Sequence, residues 1–503
     1  MRIVYLLETA AELWGGVKSV LADANLLQAR GHAVHVLAKS PPPGWMQLAC
    51  GFTQVPDFAP ERIPAADVVV GTFWTTVPFA ARCRRGVPVH YCQGYEGDNP
   101  ENAAQRSRIE EVYRLPVPKI VISPHLRELV AQRFGGDVHE VVYSVDHQVM
   151  RPAPERPCGR PVRVGLVGPW QIPWKDLRTG YQAAELAHRA GLPLQLVRVT
   201  NTAPHAEERA FTLPVEWHER VAPAQMGEIY RSLDVMLCTS SGPEEGFFMP
   251  AVEAMACGVP CVMTDIPCFR GYGDGQYAMF VPARQPAAMA EALVLAAGHA
   301  HGRAQLRSEG LRTAAAFTPE RHVEAIERTF AALVAASERR GLLSSADLPN
   351  LEQSILVSLR TTAEGWLQQA AYARALACLE AATHLAPEDP ALLHELGYVR
   401  YLAGDDAGAL RAYDAALDRG AASRDLHAGR ALILFARGDH QGARDAYPRA
   451  LQIGPEDAEL WNNLGVARHR SGDARGAADC FRQALALDPH CADARQNLSG
   501  CSG

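Results

Sequence analysis

The sequence predicts two Rossmann-like α/β halves in tandem, facing one cleft, followed by an all-helical repeat solenoid. Three observations carry that prediction. Short apolar runs alternate with helix-length stretches from the first residues, the alternation restarts after a proline-rich break near residue 151, and from about residue 356 the chain superposes on itself at a fixed period. A chain of 503 residues also exceeds what one hydrophobic core can organise, since single domains stop growing at roughly 250 to 300 residues.

The first run, residues 2–7, reads as a buried strand. Glu8 and Glu12 break the apolar stretch that could pass for a signal peptide, and no small-residue cleavage site follows. Runs at 33–38, 67–71, 88–92 and 119–123 continue the series, and strands separated by helix-length segments imply parallel pairing through helical crossovers. Three prolines within residues 151–157 then mark an interdomain linker. A second series occupies 162–167, 194–199, 235–238, 259–263 and 278–281. The expected boundaries are 1–155 for the first α/β domain and 156–340 for the second, including a closing helix that starts at Phe317-Thr318-Pro319-Glu320. Ligands of such sheets sit at the carboxyl ends of the strands, which here means the cleft between the halves.

After a linker at 341–355 the character is purely helical. A shift of 34 residues superposes Ala375, Ala409, Ala443 and Ala477, and likewise Ala382, Ala416, Ala450 and Ala484. Gly404-Asp405, Gly438-Asp439 and Gly472-Asp473 recur as turns, Leu379, Tyr413, Tyr447 and Phe481 as large apolar residues, and Pro387, Pro455 and Pro489 as closing residues. Small residues at fixed places in a repeat of this length are the tetratricopeptide (TPR) signature: alanines let paired helices approach and Gly-Asp turns the chain. Four repeats are expected over 356–491, with a C-terminal tail at 492–503.

Bulk composition excludes several classes. A formal charge of −7 gives no basic excess for nucleic acid, and no run approaches the roughly 20 apolar residues of a membrane span. The twelve cysteines lie singly without a CxxC pair, against a zinc ribbon or a disulfide scaffold. Unpaired cysteines and the lack of an export signal lead to the expectation of a cytoplasmic protein.

The chemistry concentrates after the strand at 235–238. Pro250 suits the first turn of a helix, where a missing N–H costs nothing. Amides of Phe247, Phe248 and Met249 would then point out of that helix, where an anionic diphosphate is stabilised by donors and by the helix dipole. Glu245 precedes the helix and Glu253 lies about one turn inside it, so the two reach opposite ends of a ligand whose diphosphate sits between them. Ionised carboxylates only accept hydrogen bonds, and sugars offer donors.

Glu245 and Glu253, seven residues apart and followed by Ala254-Met255-Ala256-Cys257-Gly258-Val259-Pro260, resemble the E-x7-E signature of retaining GT-B glycosyltransferases, above all glycosyltransferase family 4. Gly15-Gly16 and Gly31-His32-Ala33-Val34-His35-Val36-Leu37 resemble the family's N-terminal loop, helix and second strand, so the resemblance spans roughly residues 1–335. It implies a bacterial-type enzyme that moves a hexosyl or deoxyhexosyl group from a nucleotide-sugar, with Glu245 on the donor sugar, Glu253 on the ribose and Lys175 on the diphosphate. Donor contacts would come from Gly15, Gly16, Gly168, Gly246, Phe247 and Phe248 as well, and acceptor contacts from Gln93 and Glu96. This chain departs from the family at Pro169-Trp170, where an Arg usually follows the glycine, and at Gln93, where a His is usual. A transferase half that has lost activity and serves as a scaffold is the alternative those departures motivate.

No cofactor is expected beyond the nucleotide-sugar co-substrate. Glu96-Gly97-Asp98 imitates an acidic metal triplet, but the family holds its diphosphate with protein groups, so no metal is assigned. His90 reads as a strand histidine facing the core. The repeats are expected to bind a polypeptide acceptor or a partner protein, with a homo-oligomer or a tether to a larger assembly as the competing use.

Overall fold

The structure, a computed structural model, describes residues 1–154, 161–340 and 348–501. The predicted runs become strands because they are too short for helices and rich in β-branched residues that pack on a pleated surface. β1 (Arg2–Leu7), β2 (Ala33–Ala38), β3 (Gly51–Gln54), β4 (Val68–Gly71), β5 (Val87–Cys92), β6 (Lys119–Val121) and β7 (Val138–Glu140) form one sheet in the order β3-β2-β1-β4-β5-β6-β7. Every pairing is parallel, and β4 and β5 are buried along their whole length, as strands covered on both faces should be.

The second sheet repeats the plan. β8 (Val162–Val167), β9 (Leu194–Thr200), β10 (Val215–Glu219), β11 (Val235–Cys238), β12 (Cys261–Thr264) and β13 (Ala278–Val281) run parallel in the order β10-β9-β8-β11-β12-β13. In each sheet the order reverses beside the first strand, between β1 and β4 and between β8 and β11. Outside the carboxyl ends of the strands, such a switch point opens a crevice. The helix Pro319–Arg340 then returns to the first sheet's helices. Glu327 pairs there with Arg30 at 2.8 Å and His32 at 2.9 Å, and His322 Nε2 lies 2.7 Å from Asp23.

Three strands have no counterpart in the sequence reading: β3, β7 and β10. All three are sheet edges. An edge strand pairs on one side only and need not be apolar throughout, so Gly51-Phe52-Thr53-Gln54 and Val215-Glu216-Trp217-His218-Glu219 carry no continuous hydrophobic run.

The chain divides after Ser354 into two units. In the second unit, the helix pairs Pro390–Leu402 with Asp406–Asp418, Arg424–Ala436 with His440–Ile453, and Ala458–Arg470 with Ala474–Leu487 show why the period is strict. Gly404, Gly438 and Gly472 take φ of +82°, +84° and +90°, a left-handed turn that glycine adopts without a Cβ penalty. Asp405, Asp439 and Asp473 then cap the next helix, each accepting the amide of the glycine three residues on at 2.8 Å. The eight repeated alanines are fully buried between helices. A Cβ on Gly397 or Gly465 would come within 2.5 Å of the Tyr413 or Phe481 ring, so the aromatic of the second helix requires a glycine on the first.

The helix Leu348–Gln368 starts within the stretch read as linker, and Ala492–Gly500 is helical within the stretch read as tail. Residues 341–347, 502–503 and, with Cys158, the 155–160 part of the proline-rich break lie outside the described residues. Among the described residues, no helix is long and apolar enough to cross a membrane.

Candidate functional site

A cleft of about 470 Å³ opens between the carboxyl ends of the two sheets. Its lining includes Gly15, Gly16, Gln93, Glu96, Gly168, Lys175, Glu245, Gly246, Phe247, Phe248 and Glu253, so the site residues read from sequence come together in one place. Each arrives on a strand end. Gly15 and Gly16 begin the helix Gly15–Ala29 after β1, Gln93 and Glu96 follow β5, Gly168 follows β8, and Glu245 follows β11.

The helix Met249–Ala256 opens where Pro250 said it would. Glu245 is 4% exposed and accepts from Lys175 Nζ at 2.5 Å and from the Ser240 hydroxyl at 2.6 Å. Glu253, also 4% exposed, accepts from Tyr230 Oη at 2.8 Å and from Lys18 Nζ at 2.9 Å. A buried carboxylate is costly unless paired and hydrogen-bonded, and both are. Lys175 is fixed by its backbone: Thr239 donates to its carbonyl at 2.6 Å, and its ammonium lies 4.7 Å from the centre of the Phe248 ring.

One expectation needs correcting. The Phe248 amide does not face an empty site: it donates to Tyr272 Oη at 3.1 Å, and that hydroxyl donates back to the Phe248 carbonyl at 3.0 Å. Phe248 is the residue preceding the helix, and the hydroxyl satisfies one of the donors that a helix start leaves over. The rings of Phe247 and Phe248 are buried, Phe247 edge-on to Tyr143, Tyr272 and Phe317.

Two glycines are explained by close approach. A Cβ on Gly246 would stand 2.2 Å from the Gln93 carbonyl oxygen, so the loop before the helix presses on the loop after β5. A Cβ on Gly16 would stand 2.5 Å from Gln93 Oε1, which accepts from Tyr143 Oη at 2.6 Å. Gln93 is therefore wedged between two glycines, one from each α/β domain. Gly168, at φ +136°, turns the chain out of β8.

Glu96 lies at the cleft wall and accepts from Tyr113 Oη at 2.5 Å. Desolvation pushes its carboxyl up to about 7, against the opposing hydrogen bond from Tyr113. Asp98 turns away to Arg133 at 2.9 Å and Arg106 at 3.4 Å, so the acidic triplet is not gathered on one point. His90 is fully buried, with desolvation holding its pKa well below the ordinary imidazole value.

Sequence reading missed Lys18 and Tyr230, both lining the cleft and both on Glu253. Lys18 had a signal: it follows Gly15-Gly16 within one helical turn. Tyr230, distant in sequence and on the short helix Met226–Ser232, had none.

Comparison with known proteins gives this architecture a context. Residues 161–299 match the family model described as glycosyl transferases group 1. Residues 367–424, 431–472 and 458–491 match tetratricopeptide repeat models. No curated protein matches the chain. Among solved structures, sucrose-phosphate synthase from Thermosynechococcus elongatus is 17% identical with a TM-score of 0.55, covering 67% of this chain and 100% of its own. A glycosyltransferase from Rickettsia africae is 12% identical with a TM-score of 0.52, covering 66% and 98%. Anabaena HepE in complex with UDP is 15% identical with a TM-score of 0.52, covering 66% and 100%. The fold is GT-B, two Rossmann-like domains about a cleft, followed by TPR helices, and the chain carries a glycosyl transferase group 1 domain.

Proposed function

We propose that this protein is a retaining glycosyltransferase that moves a sugar from a nucleotide-sugar to a protein or glycan acceptor, with the TPR helices binding the acceptor or a partner protein. One observation carries the reading: Glu245 and Glu253 flank the start of the helix Met249–Ala256 inside a single cleft, with Lys175 paired to Glu245 in the same cleft. The group 1 family match covers these residues, and HepE, of the same fold, was crystallised with UDP.

The nucleotide half of the donor belongs to the second domain, with the ribose hydroxyls on Glu253 and the transferred sugar on Glu245. Lys175 leaves Glu245 for the diphosphate, which frees the carboxylate to accept from sugar hydroxyls. As the bond from the anomeric carbon to the phosphate oxygen breaks, negative charge grows on the leaving diphosphate, and stabilising that charge is the largest catalytic term. Lys175 and the Phe247 amide supply it. No side chain in the cleft is assigned as a covalent nucleophile. The acceptor oxygen attacks on the face the diphosphate leaves, and its proton passes to the departing phosphate oxygen. Gln93 and Glu96, on the first domain's wall, hold the acceptor.

This reading gives the diphosphate protein cations and amides and assigns no metal. Full activity in EDTA is expected; an absolute requirement for manganese would sink that part of it. The identity of the donor is tested by thermal shift and hydrolysis with UDP-, GDP-, ADP- and dTDP-sugars. Stabilisation and slow hydrolysis by one member are expected. A chain that binds none of them is instead the inactive scaffold.

A further inference from the structure

Both motif glutamates hold a lysine, and the two lysines come from different domains. Lys175, on the loop after β8, pairs with Glu245 from its own domain. Lys18, one turn into the helix Gly15–Ala29, reaches across the cleft to Glu253 Oε1 at 2.9 Å. Glu253 sits in the second domain and its side chain is 6% exposed, whereas that of Lys18 is 27% exposed. The ammonium thus lies at the open side of a pair whose carboxylate is anchored independently, because Glu253 Oε2 keeps the hydrogen bond from Tyr230 at 2.8 Å.

We propose that Lys18 is a donor-binding residue that exchanges Glu253 for the diphosphate of a nucleotide when the donor enters, an inference that rests on the reading of the cleft as a nucleotide-sugar site. The cleft lining carries four carboxyl side chains, Glu96, Glu244, Glu245 and Glu253, against three cations, Lys18, Lys175 and Arg220. A nucleoside diphosphate brings further negative charge to a lining whose carboxyl groups already outnumber its cations, so each cation within reach is drawn to it. When ribose hydroxyls donate to Glu253, they compete with Lys18 for Oε1, and the buried carboxylate remains satisfied through Tyr230. The released ammonium, a compact charge on a four-carbon stem, is free to move to the phosphates. The first domain then contributes a cation to the donor, and the contact that spans the cleft without ligand is replaced by one that spans it through the ligand.

The test compares diphosphate and nucleoside binding in the full chain. UDP, GDP, ADP and dTDP, with the matching nucleosides, are titrated against the unmodified protein and against Lys18→Met, Lys18→Gln and Lys18→Arg. For the diphosphate that binds, Lys18→Met and Lys18→Gln should weaken it about tenfold or more, the loss expected for a charge-assisted contact, with nucleoside binding unchanged or tighter because Lys18 no longer competes for Glu253. Lys18→Arg should recover most of the loss. A purely structural bridge would shift both ligands by the same factor, and that result, like no change in diphosphate binding, overturns the assignment. Binding of none of the four diphosphates by the unmodified chain overturns the donor reading itself, and the role of Lys18 with it.

Discussion

Glu96 shows what a single environment does to a side chain. Its carboxyl titrates near 7 because desolvation penalises the charged form more than the Tyr113 hydroxyl supports it. The sign follows: stability fully present below the unfolded carboxyl value is lost as pH rises through the folded one, so Glu96 favours the folded state least above neutrality. If the ionised form accepts the acceptor's hydroxyl, transfer should rise through about pH 7 while donor hydrolysis stays flat. Glu96→Gln should lower transfer by about tenfold or more and abolish that inflection. A profile for acceptor kcat/KM that keeps the same inflection in Glu96→Gln would contradict the assignment. Spacing about a helix start marked Glu245 and Glu253, because such a motif encodes geometry locally, while the family resemblance supplied Lys175. Lys18 meeting Glu253 was not legible, because two residues 235 positions apart, in different domains, must be brought together before the pair exists. The Tyr272 hydroxyl on the Phe248 amide was hidden because the two, 24 residues apart in one domain, meet only once that domain has folded.

At the scale of elements, the interior strands were legible because burial on both faces demands continuous apolar residues, as in Val68-Val69-Val70. Three of the four edges, β3, β7 and β10, were not, because exposure removes that demand; the fourth, β13, kept an apolar run at Ala278–Val281. The repeats were legible through their glycines and alanines, and one repeat breaks the rule informatively. Ala370 stands where Gly404, Gly438 and Gly472 stand in later repeats, and it takes φ +53° as a residue with a Cβ. Ala371, in the place of the capping aspartates, gives the next helix no side-chain cap. A left-handed alanine costs about 1 kcal/mol or more, partly offset by the greater freedom of glycine in the unfolded chain. Ala370→Gly should therefore stabilise the second unit by roughly 0.5 kcal/mol, read as a higher midpoint in chemical unfolding. A lower midpoint would mean that the turn is not strained.

For the whole molecule, the division after Ser354 separates donor chemistry from the repeats. A chain ending near Arg340 should fold, bind nucleotide and hydrolyse donor slowly, but lose transfer to its natural acceptor; the repeats from Ile355 should bind a polypeptide acceptor alone. Full-rate transfer by the shortened chain would refute the acceptor-binding role and leave dimerisation or tethering as the use of the repeats, which size-exclusion chromatography of both fragments would show. The central claim is that the two glutamates divide one nucleotide-sugar between them, and the most direct measurement is a paired titration and turnover assay on Glu245→Ala and Glu253→Ala with the donor selected by the panel. The account predicts that Glu245→Ala abolishes most transfer with nucleoside diphosphate affinity largely intact, and that Glu253→Ala weakens the nucleoside diphosphate by about 1.5 to 3 kcal/mol. Unchanged transfer in Glu245→Ala, or unchanged nucleotide affinity in Glu253→Ala, would contradict it.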